Sequence, residues 1–248
     1  MPKEQKKILR IDSEEARQSE LTEEFKSVVK QVMKDLNIKK DSPELRACPD
    51  MFVGKIENLH KSSSFSYCKI TDTPNAGMVN QEGRKAILLI LESPHKEEYK
   101  EEPIEPAKGC TGCAIRTYFR QIFGDDCNSY DLVLLNLVQY QCSQGMATRG
   151  KKSIKNTVLA KLLEGAPKEN IFVQNFVERV RAAMRIYETC VIINACPFTK
   201  INNQELNKQV DAWLNSALGS SAYKLISDAG HPSAWCKNWK NVKRRVAG

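Results

Sequence analysis

The chain has 248 residues, 38 Lys and Arg against 30 Asp and Glu for a net charge of +8, 41% hydrophobic residues and 7% aromatic ones. At roughly 150 residues per domain this is one large domain or one with an appendage, and the composition excludes a mainly disordered chain. The longest aliphatic run, Ala86 to Leu91, is far too short to cross a bilayer and the charged N-terminus lacks the apolar stretch of a signal peptide, so the reading is a cytoplasmic protein whose basic excess favours a polyanionic partner, nucleic acid first.

Residues 1–50 carry eleven basic and eleven acidic residues, so the positive excess lies elsewhere. Leu21, Phe25, Val28, Val32 and Leu36 share one helical face, and Ser13 or Thr22 followed by glutamates is a helix-start signal. Residues 1–50 are therefore read as an N-terminal helical extension, either docked on the main body (51–248) or solvated with one apolar stripe. Residues 40–85 are rich in Ser, Pro, Asn and Asp and read as loop with short extended pieces.

From residue 86 strands and helices alternate. Ala86–Leu91 is a short continuous apolar run, the pattern of a strand buried on both faces. Ala114–Phe123 reads as a helix closed by Gly124, and Leu132–Asn136 as a second buried strand. Two helices follow, Asn156–Leu163 ending at Gly165 and Asn170–Tyr187 with Phe172, Phe176, Val180, Met184 and Tyr187 on one side. Cys190–Asn194 is a third strand, Gln204–Leu218 a helix capped by Gly219, and Tyr223–Ile226 a fourth strand. The alternation predicts a three-layer α/β/α sandwich with a mostly parallel four-stranded sheet. In such folds ligands bind beyond the carboxyl ends of the strands.

Nine cysteines are scattered along the chain, and only Cys110 and Cys113 have metal-ligand spacing, without a second such pair. They are read as mostly reduced packing residues, with no metal and no cofactor expected. Polar residues instead collect after the predicted strands. The first runs into Glu92-Ser-Pro-His-Lys-Glu-Glu-Tyr99, the second ends at Asn136, the third at Asn194, and the fourth leads to Gly230-His-Pro-Ser-Ala-Trp235. Two of the three histidines, His95 and His231, fall on this edge.

These segments resemble the uracil-DNA glycosylase superfamily. Its best-known members carry G-Q-D-P-Y-H after a strand, then L-L-L-N, then H-P-S-P-L, and an iron–sulphur branch carries G-E-A-P-G-x-x-E-D and a terminal H-P-S. This chain has Leu91-Glu-Ser-Pro-His-Lys-Glu-Glu98, Val133-Leu-Leu-Asn136 and His231-Pro-Ser-Ala-Trp235 in that order, and the match covers about residues 86 to 240. The resemblance implies a monofunctional DNA glycosylase that flips a modified pyrimidine out of the stack and hydrolyses its N-glycosidic bond, in DNA repair or antiviral defence. The implied partner is DNA, bound by a monomer without a membrane.

By the same resemblance His231 stabilises the leaving base, Asn136 reads the base edge, and Glu92 or Glu98 orients water at the sugar. Ser93 and His95 face the base. Ser233 holds a phosphate, Pro94 joins the DNA contacts, and Trp235 occupies the place of an apolar wedge. Ser93 stands where the best-known members place a water-activating Asp, and His95 where a Tyr bars the thymine methyl, which opens the pocket to bulkier bases. The iron–sulphur branch's N-terminal CxxC is absent, and its cluster is not carried over. Lys237 and Lys240, in a C-terminal tail with Lys243, Arg244 and Arg245, and a second cluster of Arg149, Lys151, Lys152 and Lys155 are candidates for phosphate contacts.

Two alternatives remain from the residues. One is a catalytically inactive nucleic-acid-binding protein on the same scaffold, suggested by Ser93. The other is an ATPase, because Gly145-Met-Ala-Thr-Arg-Gly-Lys151 matches most of a phosphate-binding loop, although Lys152 takes the place of the hydroxyl residue that holds Mg²⁺.

Overall fold

The structure is a computed structural model that describes residues 3–37, 44–61, 63–69, 81–142, 148–149, 152–219 and 223–246. Its helices are α1 (Lys3–Asp35), α2 (Cys110–Phe123), α3 (Ile154–Leu162), α4 (Ile171–Met184), α5 (Leu206–Leu218) and α6 (Trp235–Val246). Its strands are β1 (Met51–Lys55), β2 (Cys68–Lys69), β3 (Gln81–Leu91), β4 (Asp131–Asn136), β5 (Thr148–Arg149), β6 (Lys152–Ser153), β7 (Tyr187–Asn194), β8 (Lys200–Ile201), β9 (Gln204–Glu205) and β10 (Lys224–Ile226). Among the described residues the main sheet has six strands in the order β10-β7-β3-β4-β1-β2. The four strands expected from the apolar runs are its parallel part, and β1 and β2 add an antiparallel edge. The fold is thus α/β with a mixed, mostly parallel sheet, two strands wider than expected.

Strand alternation divides the interior into two cores. Ala86, Leu88 and Ile90 of β3 join the core built with α1, α3, α4 and α5, while Ile87, Leu89 and Leu91 join the one built with α2 and α6. Helices therefore cover both faces, and Ala86–Leu91 is at most 3% exposed.

Helix α1 starts at Lys3, ahead of the expected Ser13 or Thr22, and its second half is part of the first core. Leu21, Phe25, Val29 and Val32 are buried, whereas Val28, expected on the buried stripe, is half-buried. Phe25 stacks on Tyr140 at 4.6 Å, and Gln18 and Thr22 bond the Tyr140 hydroxyl at 2.7 and 2.8 Å. Each such apolar side chain contributes roughly 1.5–3 kcal/mol on burial, so α1 is docked rather than solvated.

Other boundaries moved for local reasons. Asn170 caps α4 with its side-chain oxygen, accepting from the backbone N–H groups of Phe172 and Val173 at 3.0 Å. The helix stops at Met184, and Tyr187 opens β7 instead of closing α4. Gln204 and Glu205 pair with β8 before α5 begins. The expected basic tail is helix α6. Trp235, Trp239 and Val242, spaced at i, i+4 and i+7, face the second core, and Lys237, Lys240, Lys243 and Arg244 are exposed.

Candidate active site

The parallel strands end side by side. Leu91 of β3 is paired with Asn136 of β4, and Ile90 with Asn194 of β7. The ladder continues past the strand ends. Leu137 N–H donates to Leu91 O at 2.8 Å, Val138 N–H to Glu92 O at 3.1 Å, and Ala195 N–H to Ile90 O at 2.9 Å. Glu92, Asn136 and Asn194 are thereby held by backbone geometry before any side chain contributes.

Leu132 and Leu134 of β4 belong to the core under α2 and α6, so the period of two puts Asn136 on that same side. Its residue exposure is 1%, and its amide nitrogen has no hydrogen-bond partner among the described residues. Its backbone is clamped from the opposite face. Arg179 of α4 donates to Asn136 O at 2.9 Å and Leu137 O at 3.1 Å, and pairs with Asp50 at 2.6 Å. Asp50 in turn accepts Asn136 N–H at 3.3 Å. Burial pushes the Asp50 carboxyl up, against the pull of the Arg179 guanidinium. Reasoning from the sequence missed this pair because Asp50 and Arg179 lie far apart in the chain and in no motif.

Glu92 is 3% exposed. It lies close enough to Cys196, just past β7, that its carboxylate adds to burial in holding that thiol well above its ordinary range. Ser93 is 8% exposed, and its hydroxyl is buried without a partner among the described residues. Pro94, expected among the DNA contacts, is buried with them.

The two histidine turns share a design. His95 caps the 3-10 turn Lys96–Tyr99, its Nδ1 accepting Glu97 N–H at 3.3 Å. His231 caps the 3-10 turn Pro232–Ala234, its Nδ1 accepting Ser233 N–H at 3.3 Å with the Ser233 hydroxyl at 2.8 Å. An Nδ1 that accepts from the backbone places the proton of a neutral ring on Nε2. The second turn packs against α2, on the side of the sheet to which Asn136 belongs.

Two expected roles change. Glu98, expected as a second catalytic carboxylate, is 4% exposed and accepts the backbone N–H groups of His95 and Ala107. It is the staple of its own loop, and desolvation pushes its carboxyl up to about 7. Trp235, expected in the place of an apolar wedge that enters DNA, is 0% exposed. Its indole N–H donates to Ala229 O at 2.9 Å and Gly230 O at 3.2 Å, and its ring meets Phe119 and Phe123 edge-on. A buried indole needs a hydrogen-bond acceptor, and the carbonyls just before His231 supply it. Trp235 thus anchors the His231 turn from beneath.

Ser233, Lys237 and Lys240 are exposed, as contacts to a phosphate backbone require. The side chains of Arg149, Lys151, Lys152 and Lys155 lie outside the described residues. So does most of Gly145–Lys151, but Thr148 and Arg149 pair antiparallel with Lys152 and Ser153. A hairpin, rather than a strand, precedes α3, and that departs from the strand–loop–helix layout of a phosphate-binding loop. Cys110 and Cys113 are free and exposed at the start of α2. Surface clefts of about 600, 220 and 350 Å³ lie elsewhere, and none is lined by Glu92, Asn136 or His231. The arrangement gathers a buried carboxylate, a buried amide donor and, on the same side of the sheet as the amide, an imidazole turn at one sheet edge. Compared with known proteins, the chain matches no family model, no curated protein and no solved structure.

Proposed function

We propose that the chain is a monofunctional DNA glycosylase with a uracil-DNA glycosylase-like three-layer fold, acting on a modified pyrimidine in repair or antiviral defence. The observation that carries the reading is the Asn136 amide, a buried donor without a partner among the described residues, in the row of strand ends that also carries Glu92. A buried donor left unpaired costs about 1–3 kcal/mol, and an incoming base oxygen removes that cost.

In this mechanism the glycosidic bond from C1′ to the base nitrogen breaks, and the electron pair leaves with the base. The Asn136 amide and the His231 Nε2–H donate to the base as its negative charge develops. The Glu92 carboxylate accepts a hydrogen bond from water, directs its oxygen to C1′ where the new bond forms, and takes the proton that water loses, which returns through solvent to the departing base anion. Lys237 and Lys240 supply salt-sensitive phosphate contacts that carry no sequence information.

The inactive nucleic-acid-binding reading has one observation in its favour: the Ser93 hydroxyl is buried where the resemblance expects a water-activating carboxylate. A base-release panel separates the two. The protein is incubated with single- and double-stranded DNA carrying uracil, hypoxanthine, hydroxymethylcytosine or glucosylated hydroxymethylcytosine, and alkali then reveals abasic sites. Uracil release places it in repair, and release of only a bulky base places it in defence. DNA binding without any release overturns the catalytic reading, and release that survives both Asn136→Ala and His231→Ala overturns the roles given to those two residues.

A further inference from the structure

Cys110 and Cys113 stand outside both the packing role expected of the cysteines and the proposed reaction. Of the nine cysteines, Cys48, Cys127, Cys142, Cys190 and Cys196 are buried and Cys68 is half-buried, whereas Cys110, Cys113 and Cys236 are exposed. Burial holds the Cys48, Cys127, Cys190 and Cys196 thiols above their ordinary range, which keeps them protonated and poor nucleophiles. Sulfur chemistry in the folded chain therefore belongs to the exposed cysteines, and two of those share one helical turn. That turn is the first of α2, the helix that links the parallel strands β3 and β4. A C-x-x-C pair that opens the helix of a strand–helix–strand unit is an arrangement used for thiol–disulfide exchange.

The inner side of the turn is seated firmly. Ala114 and Ile115 are buried, and Gly112 lies so close to the preceding loop that a Cβ there would meet Ala107 O at 1.8 Å and the Phe65 ring at 3.1 Å. The loop is itself held, because Ala107 N–H donates to the Glu98 carboxylate and the Tyr67 hydroxyl donates to Pro106 O at 2.6 Å. Cys110 and Cys113 lie on the outer side of this anchored turn. Three residues apart on an α-helix, two Cα atoms are about 5 Å apart, inside the disulfide range of about 4.4–6.8 Å. Their Cβ atoms are about 5–6 Å apart in a regular helix and must close to about 4 Å. The first turn tolerates that, because the N–H groups ahead of Cys113 make no intrahelical bond for the closure to break.

We propose that Cys110 and Cys113 are a reversible thiol–disulfide site that exchanges with a small dialkyl disulfide. The inference does not depend on the glycosylase reading. One cysteine sulfur gives up its proton and attacks a sulfur of the small disulfide, whose S–S bond breaks and releases one thiolate. The second cysteine then gives up its proton and attacks the sulfur of the mixed disulfide on the first. The bond between Cys110 and Cys113 forms, and the second small thiolate leaves. The protein loses two electrons and two protons, and the small disulfide gains them as two thiols. Excess small thiol runs the same steps backwards.

The test uses glutathione and its disulfide as the probe. The folded full chain is equilibrated over a series of ratios of glutathione disulfide to glutathione, alkylated with N-ethylmaleimide and digested with trypsin. Cleavage after Lys108 and Arg116 puts both cysteines in one peptide, residues 109–116. As the ratio rises, this peptide is expected to lose both alkyl groups and two hydrogens, and dithiothreitol should restore alkylation. Cys110→Ser and Cys113→Ser should each instead carry one glutathione on the remaining cysteine, whereas Cys236→Ser should leave closure of the pair unchanged. The melting temperature of the oxidised protein should not fall below that of the reduced one, because the helical spacing already suits the bond. A peptide that stays fully alkylated across the series, or takes up glutathione on both cysteines without closing, overturns the proposal. So does a disulfide from either cysteine to Cys236. A lower melting temperature on oxidation also overturns it, since the turn would then have to unwind to close the bond.

Discussion

Asn136 and Asn194 end the two strands that flank β3, and both are buried, at 1% and 0% exposure. Their surroundings are opposite. Asn194 donates to Asn207 O at 2.8 Å and Asp211 Oδ1 at 2.7 Å, and accepts Cys196 N–H at 3.1 Å, so its side chain is consumed in turning the chain away from β7. The Asn136 amide nitrogen has no such partner among the described residues, while its backbone is clamped by Arg179 and Asp50. The same residue type is a structural turn at one strand end and a rigidly mounted, unanswered donor at the other. Folds retain an unpaired buried donor where something outside the chain answers it, which is why the β4 end carries the functional reading and the β7 end does not.

The comparison breaks most easily at Arg179. Its side chain is 15% exposed and that of Asp50 8%, so Arg179→Met leaves a buried carboxylate uncompensated and should cost about 3–5 kcal/mol in urea unfolding. Adding Asp50→Asn should recover part of that loss. An unchanged unfolding midpoint in the single variant would show that the clamp does not hold the β4 end.

Asn136→Ala should lower base release by a factor of about 10²–10³, the usual effect of removing one donor to developing charge. Its stability should change by less than about 1 kcal/mol, because the amide nitrogen it deletes makes no bond among the described residues. A large loss of stability with intact release would reverse the assignment of the two asparagines.

The Glu98 staple gives a pH signature beside the site. Unfolded, this carboxyl titrates near its ordinary 4.5, and folded it is pushed up to about 7. Below pH 4.5 both states hold the proton, and the contribution to stability is complete. As pH rises through 7 the folded state must ionise a buried carboxyl, and about 3 kcal/mol is lost. Glu98→Gln should remove this decline, read as the difference between the wild-type and variant melting curves across that window. Parallel curves would mean that Glu98 does not titrate in the loop.

The smallest effect is expected at Asn194. Asn194→Ala should cost about 2 kcal/mol of stability from its lost hydrogen bonds, and should leave the strength of DNA binding at a given salt unchanged. Loss of binding at full stability would move the functional edge to β7.

The sequence by itself determined the parallel part of the sheet and most of the helices. Continuous apolar runs such as Ala86–Leu91 read as strands buried on both faces, and Gly124 and Gly219 marked helix ends. It also brought the Glu92, Asn136 and His231 segments to one edge, because crossover connections return every parallel strand in the same direction. The antiparallel strands β1 and β2 were hidden because they are short and lie in the polar residues 40–85, where Met51-Phe-Val53 is too brief an apolar run to stand out and β2 has only two residues. Helix α6 was legible in the spacing of Trp235, Trp239 and Val242 but was masked by its basic residues.

Tertiary structure alone decided which polar groups are consumed and which are left open. Trp235 went to the core because the carbonyls of Ala229 and Gly230 just before the turn could accept its N–H, and Glu98 to its loop because two backbone donors faced it. Asn136 kept a buried amide nitrogen without a partner among the described residues. Hydrophobic period is local and survives in the sequence, whereas whether a buried polar atom finds a partner depends on loop geometry and on contacts such as Asp50 with Arg179, which exist only once the chain has folded.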